Sequence, residues 1–167
     1  MNEACVDPWM VLRTRSRHEN KVESMLQEKQ ITAYLPKCKV LRSSNGRNRV
    51  VEMPLFPGYV FVRPRMDQFE RIRYIRGSCG LVLADSKPGT LPERDIEAVK
   101  KLVESGAELS IDTELVSGKR IKIVDGPFMG VEGILVSARN QQHLVVNVDM
   151  LGSSVRVEVD RGAIEAA

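Results

Sequence analysis

Long apolar runs are missing from this sequence. Stretches such as Leu144-Val145-Val146 are typical, whereas a bilayer span needs roughly 20 consecutive apolar residues. The opening Met1-Asn2-Glu3-Ala4-Cys5-Val6-Asp7-Pro8 carries acids and lacks an apolar centre, so it does not read as a secretory signal. A cytoplasmic chain without membrane contact is the expectation. Cysteine and histidine are also scarce. Cys5, Cys38 and Cys79 are far apart and odd in number, no CxxC occurs, and only two histidines could join them. That argues against a zinc site and a disulfide framework, and leaves incidental thiols in a reducing compartment. No phosphate-cradling P-loop, dinucleotide fingerprint or nucleophile–base spacing is present, so neither cofactor nor catalytic residue is expected and the chain does not read as an enzyme. No internal repeat and no low-complexity tract appears.

What the chain does have is apolar content for real cores, at 43% of its 167 residues, and an uneven charge. Residues 1–110 carry 19 basic and 14 acidic side chains; residues 111–167 carry 6 and 8. Within 37–76 the imbalance sharpens to ten basic against three acidic. Such an excess draws polyanions, although a solvated surface paired with acids elsewhere would give the same count.

Hydrophobic patterning divides the chain in two. Trp9-Met10-Val11-Leu12 reads as a short buried strand. Ser16 and Glu19 have capping-box spacing ahead of a helix whose stripe is Val22, Met25 and Leu26, and Pro36 bars helix beyond Leu35. Residues 39–41 and 49–53 flank Asn45-Gly46, the strongest short hairpin signal, with Arg42, Arg47 and Arg49 around the tip. In Pro54-Leu55-Phe56-Pro57-Gly58-Tyr59-Val60-Phe61-Val62 the prolines exclude a central strand over 54–58, and a strand follows from Tyr59. Asp67 and Glu70 then open a short helix with Phe69 and Ile72 inward, ended by Gly77. Residues 81–83 read as a strand, and a third helix buries Ile96, Val99, Leu102 and Val103 before Gly106. The order β-α-β-β-β-α-β-α indicates an α+β domain with a mostly antiparallel sheet flanked by helices. Beyond it, short β runs at 120–124, 133–138, 144–148 and 155–159, with glycines between, indicate a small SH3-like β-barrel of five strands. The expected domains are 1–106, a linker over 107–114, and 115–167.

Two motifs now coincide in order. Trp9-Met10-Val11-Leu12 followed by Pro54-Leu55-Phe56-Pro57-Gly58-Tyr59-Val60-Phe61-Val62 resembles the N-terminal domain of NusG-type proteins. Gly118-Lys119-Arg120-Ile121-Lys122-Ile123-Val124-Asp125-Gly126-Pro127-Phe128-Met129-Gly130-Val131-Glu132-Gly133 resembles the KOW motif, in which the glycines build the barrel and the function lies on the surface they support. The resemblance covers almost the whole chain beyond residue 8. It implies an elongation and antitermination factor that binds RNA polymerase at the β′ clamp helices, reaches toward the β subunit and non-template DNA, and suppresses pausing. Carried onto this sequence, the clamp-helix surface would comprise Phe56, Pro57, Tyr59 and Phe61, with Trp9 in the core. Nucleic-acid contact candidates are Arg15, Arg17, Arg47, Arg71 and Arg73, with His18 and Gln68 as further polar positions.

The same resemblance implies a KOW partner surface at Phe128, Met150, Leu151 and Ser153, which in the family engages the ribosomal protein NusE and, in housekeeping members, the termination factor Rho. Where housekeeping members carry an aromatic and a basic residue around the tip glycine, this chain has Leu151 and Ser153. That departure counts against Rho recruitment. Leu35-Pro36-Lys37 and the Pro-Leu-Phe-Pro start look like specialised paralogues of the UpxY and RfaH type. RfaH-type proteins can hold the C-terminal domain as a helical hairpin, but Val, Ile and Gly dominate 119–160 and favour strands. The expectation is a monomeric antiterminator. The alternatives are a housekeeping NusG coupled to Rho and a KOW-containing ribosome- or RNA-binding module, the latter opposed by the net negative charge of the C-terminal part.

Overall fold

The computed structural model describes residues 7–167. The expectations for the first six residues, including Cys5, lie outside the described residues. The chain divides into two compact units between Glu93 and Arg94.

The first unit is built on β1 (Met10–Thr14), α1 (Glu19–Glu28), β2 (Thr32–Tyr34), β3 (Lys37–Ser44), β4 (Arg47–Pro54), β5 (Tyr59–Arg63), α2 (Phe69–Arg73), β6 (Ser78–Leu81), β7 (Leu83–Ala84) and β8 (Lys87–Pro88). Its main sheet is antiparallel in the order β2-β5-β1-β6. Met10 pairs with Val62 and Leu12 with Val60, so these four share one sheet face. Against them pack Val22 and Leu26 of α1, Ile72 of α2, and Ile31, Leu35 and Ile75. The 3–4 spacing of Val22, Met25 and Leu26 places all three toward that cluster, with Met25 partly buried. The opposite face presents Val11 against Phe61 and Tyr34 beside it, again largely buried.

Among the described residues β3 and β4 pair only with each other, in full register from Lys37↔Pro54 to Ser44↔Arg47. Asn45 and Gly46 take φ values of +52° and +74°, the two positive angles a type I′ turn demands.

The second unit contains the rest of α3 (Glu93–Glu104) and β9 (Ser110–Asp112), β10 (Lys119–Ile123), β11 (Glu132–Ala138), β12 (Gln141–Val148), β13 (Ser153–Val159) and β14 (Ile164–Ala166). The strands form one antiparallel sheet in the order β14-β10-β11-β12-β13-β9, the SH3-like barrel with one strand more than five. Ile121, Ile123, Leu144, Val146, Val155 and Val157 are buried in it. Gly133 is required there for space. A Cβ on it would meet the Val145 carbonyl oxygen at 2.5 Å and Leu144 Cδ1 at 2.7 Å.

Several local expectations change. Ser16 does not cap α1. His18 stands at the cap without a side-chain capping bond, and Glu19 is drawn instead to a distant amide. The reciprocal bond before α2 comes from Gln68, whose Oε1 accepts the Arg65 amide at 2.9 Å, rather than from an Asp67–Glu70 pair. Residues 81–83 are split between β6 and β7. The segment 107–114 is not free linker, because β9 lies in it and pairs with β13, and the division between units falls ahead of most of α3. No helix among the described residues is long and apolar enough to cross a membrane.

Candidate partner-binding and nucleic-acid surfaces

The aromatic stretch begins with a turn whose geometry follows from two residues. Tyr59 N–H donates to the Phe56 carbonyl at 3.2 Å across Pro57 and Gly58, and Gly58 has φ +85°. Proline at the second position and a positive-φ glycine at the third define a type II turn. Both backbone groups of Gly58 are then tied down. Its N–H donates to Glu19 Oε1 at 2.8 Å, and its carbonyl accepts from Thr14 N–H at 2.8 Å. Glu19 is only 6% exposed, a carboxylate buried at the start of α1 to hold a turn 39 residues away. The turn is thereby fixed to β1 and α1 rather than left as a loose connection.

On this frame the four expected clamp-helix residues separate into two layers. Phe61 and Phe56 are buried, at 1% and 4%, and meet edge to face with centroids 5.9 Å apart. Tyr34 stacks on Phe61 at 6.4 Å. Pro57 is exposed and Tyr59 half-buried. Alternation does put Tyr59 and Phe61 on one face, but that face is covered at Phe61. The accessible surface therefore narrows to Pro57 and Tyr59, with Phe56 and Phe61 as their support. Trp9 is buried, with the Arg63 guanidinium 5.1 Å from its ring centroid.

The basic candidates fall in two places. Arg15 N–H donates to the Gly77 carbonyl at 2.8 Å, which joins the 15–18 loop to the segment after α2. Gly77, at φ +93°, lets His18 approach so closely that a Cβ would lie 3.1 Å from His18 Cβ. His18 Nδ1 sits 2.8 Å from the Ser16 carbonyl oxygen, which can only accept, so Nδ1 carries the hydrogen. Beside it is an open cavity of about 600 Å³ lined by His18, Asn20, Lys21, Ser24, Met25 and Arg76. Arg15, Arg17, Arg71 and Arg73 are all exposed. Tyr74, immediately after α2, is 78% exposed. Nearby, a hydrogen bond from the Arg65 side chain holds the Asp67 carboxyl below its ordinary range. Gln68 is buried in a structural role, bonded to Arg65 N–H and the Gln30 carbonyl. Arg47 stands apart, at the tip of the β3–β4 hairpin. Sequence reasoning passed over Lys21, Arg76 and Tyr74. The last was legible only as an aromatic among Arg71, Arg73 and Arg76.

In the second unit, Phe128 lies on the β10–β11 connection and Met150-Leu151-Gly152 on the β12–β13 connection. β10 and β12 both run antiparallel to β11, so the two connections leave from the same end of the sheet. Gly152 takes φ +61° at the tip, and Met150, Leu151 and Ser153 are half-buried. Phe128 is buried at 7%, while the adjacent Met129 is 60% exposed. An open groove of about 760 Å³ runs past Phe128, Asp125, His143 and Arg156. His143 Nδ1 and Arg156 Nε are buried there without a hydrogen-bond partner among the described residues.

A helix-flanked antiparallel sheet joined to an SH3-like barrel, with an aromatic turn on one and a glycine-tipped loop on the other, defines the NusG class of architecture. Residues 7–100 match the family model described as transcription termination factor nusG. The transcription termination/antitermination protein NusG of Lactococcus lactis subsp. lactis (strain IL1403) is 33% identical over 172 residues, covering 94% of this chain and 91% of its own. The protein of the same name from Bacillus subtilis (strain 168) is 32% identical over 168 residues, covering 91% and 94%. Among solved structures, one described as domain interaction in Thermotoga maritima NusG aligns with a TM-score of 0.50 at 20% identity, covering 96% of this chain and 97% of that one. This last likeness concerns the fold alone. The chain belongs to the NusG family and is a NusG-type transcription factor.

Proposed function

We propose that this chain is an elongation and antitermination factor that docks on the β′ clamp helices of RNA polymerase, bridges toward the β subunit, and suppresses pausing without catalysing any reaction. The observation that carries this reading is the anchored Phe56-Pro57-Gly58-Tyr59 turn. It offers Pro57 and Tyr59 on a rigid base of Phe56 and Phe61, as suits recognition of a helical partner by a preformed apolar surface. A ligand that prefers the closed clamp shifts the polymerase population toward it, and needs no active site to do so. It acts as a cytoplasmic monomer.

The cations around the His18 cavity, with Arg15, Arg17, Arg71 and Arg73, supply a contact for non-template DNA. Arginine there holds phosphate or forks onto guanine. The barrel end carrying Phe128, Met150, Leu151 and Ser153 takes NusE. Leu151 and Ser153 in place of the aromatic and basic pair favour a specialised antiterminator with weak Rho coupling. The name shared by the relatives, termination/antitermination protein, favours the second reading, a housekeeping member.

In vitro transcription with purified polymerase, on a long template carrying pause sites and a Rho-dependent terminator, tests both. Faster escape from pauses with no gain in Rho termination is the expected result. Stimulated Rho termination would establish the housekeeping reading. No effect, with no binding to the clamp helices, would return the chain to the RNA-module reading.

A further inference from the structure

The β3–β4 hairpin is a ribbon with two unlike faces. Side chains alternate along a strand, and directly paired residues share a face. The pairs Ser44↔Arg47 and Arg42↔Arg49 therefore gather Arg42, Arg47 and Arg49 on one face. The other face carries Lys39 opposite Glu52, and Leu41 opposite Val50, the latter two each 66% exposed.

All three arginines are exposed, and none forms an ion pair with an acid among the described residues. The Arg42 guanidinium rests 3.1 Å from Met53 Sδ, a weak acceptor that carries no counter-charge. Arg42 and Arg49 also stand directly opposite each other. Like charges in that position destabilise a hairpin, since the paired Cα atoms are only about 5.5 Å apart. Among the described residues the hairpin has no neighbouring strand to compensate. Its free state thus holds a repulsion that a bound polyanion relieves.

The kind of polyanion follows from what the hairpin lacks. Residues 37–54 contain no Phe, Tyr or Trp. Proteins that hold single strands stack the bases on aromatic rings, and here there are none. Contact is left to the phosphates, which a duplex presents on its outside while its bases stay stacked within.

We propose that the hairpin face carrying Arg42, Arg47 and Arg49 binds the phosphate backbone of duplex DNA without reading its sequence. The inference rests on the reading of the chain as a transcription factor working beside DNA, and adds the face, the ligand and the mode of contact.

The test is binding of the full chain to a labelled random-sequence DNA duplex, and to a single strand of the same length, across a salt series. The combined R42Q, R47Q and R49Q substitutions should weaken duplex binding by about tenfold at low salt. They should also flatten the log–log salt slope by about 2.7, which is about 0.9 for each phosphate no longer neutralised. K39Q removes a cation from the opposite face and should change neither; circular dichroism confirms that both variants fold. A loss from K39Q as large, per charge removed, as that from the triple variant would reduce the effect to net charge and overturn the proposal. So would an unaffected triple variant, or a loss confined to the single strand. Failure here with pause suppression intact removes only this inference, whereas loss of pause suppression by the unaltered chain removes the functional reading beneath it.

Discussion

Burying a carboxylate costs free energy unless its oxygens meet donors. Glu19 meets one in the Gly58 amide, at 2.8 Å. Glu19→Ala leaves that amide without its partner, and the loss should be about 1–3 kcal/mol in chemical denaturation. Glu19→Gln keeps an acceptor oxygen and should cost less. On the proposed function, both should also weaken binding to the polymerase clamp helices, in proportion to the loosened turn. Asp95 on α3 shows the opposite balance. Burial pushes its carboxyl above the ordinary 3.8, reinforced by the charge of Asp149 and opposed by Arg94 and Arg120. The folded state therefore holds this proton more tightly than the unfolded one, so the contribution of Asp95 to stability falls as pH rises from 3.8 through the raised value. Asp95→Asn should remove that decline, and denaturant midpoints compared at pH 4 and pH 7 against the unaltered chain would show the variant gaining at the higher pH.

Elements differ in how far they could be read from sequence, and the differences have causes. β1, β5, β10, β12 and α3 follow from apolar patterning, and the β3–β4 register follows from Asn45-Gly46, because those signals are local. β2 and β9 are three residues each and exist through their partners β5 and β13. Nothing within three residues specifies a partner. The Ser16–Glu19 and Asp67–Glu70 spacings matched a capping box, but Glu19 is claimed by Gly58 and the bond before α2 by Gln68, a competition that spacing alone does not resolve. At the site, alternation assigned Tyr59 and Phe61 to one face but could not say that Phe61 lies beneath cover. The two glycines that matter most differ in kind. Gly58→Ala meets only the Thr14 carbonyl oxygen at 3.9 Å and pays for a positive φ, about 1–2 kcal/mol. Gly133→Ala drives a methyl into the backbone of β12 and should cost more, shown by a larger drop in melting temperature.

At the scale of the molecule, two units of unlike composition share one chain. The first holds the basic excess and the aromatic turn; the second is rich in strands and slightly acidic. A fragment spanning 94–167 should give a far-UV circular dichroism spectrum dominated by strand, with helix limited to the α3 portion. A mainly helical spectrum would mean that the barrel depends on the rest of the chain. The Asn45-Gly46 tip also gives the whole molecule a chemical lifetime. Glycine leaves the asparagine side chain open to attack by the following backbone nitrogen, and both residues are exposed with no atom within 4 Å of where a Gly46 Cβ would sit. Ring closure expels the side-chain nitrogen as ammonia, and water then opens the succinimide, which leaves a carboxylate where a neutral amide stood and, in most molecules, lengthens the backbone by a methylene. Ageing preparations should therefore accumulate a more acidic isoform, with its new negative charge placed among Arg42, Arg47 and Arg49.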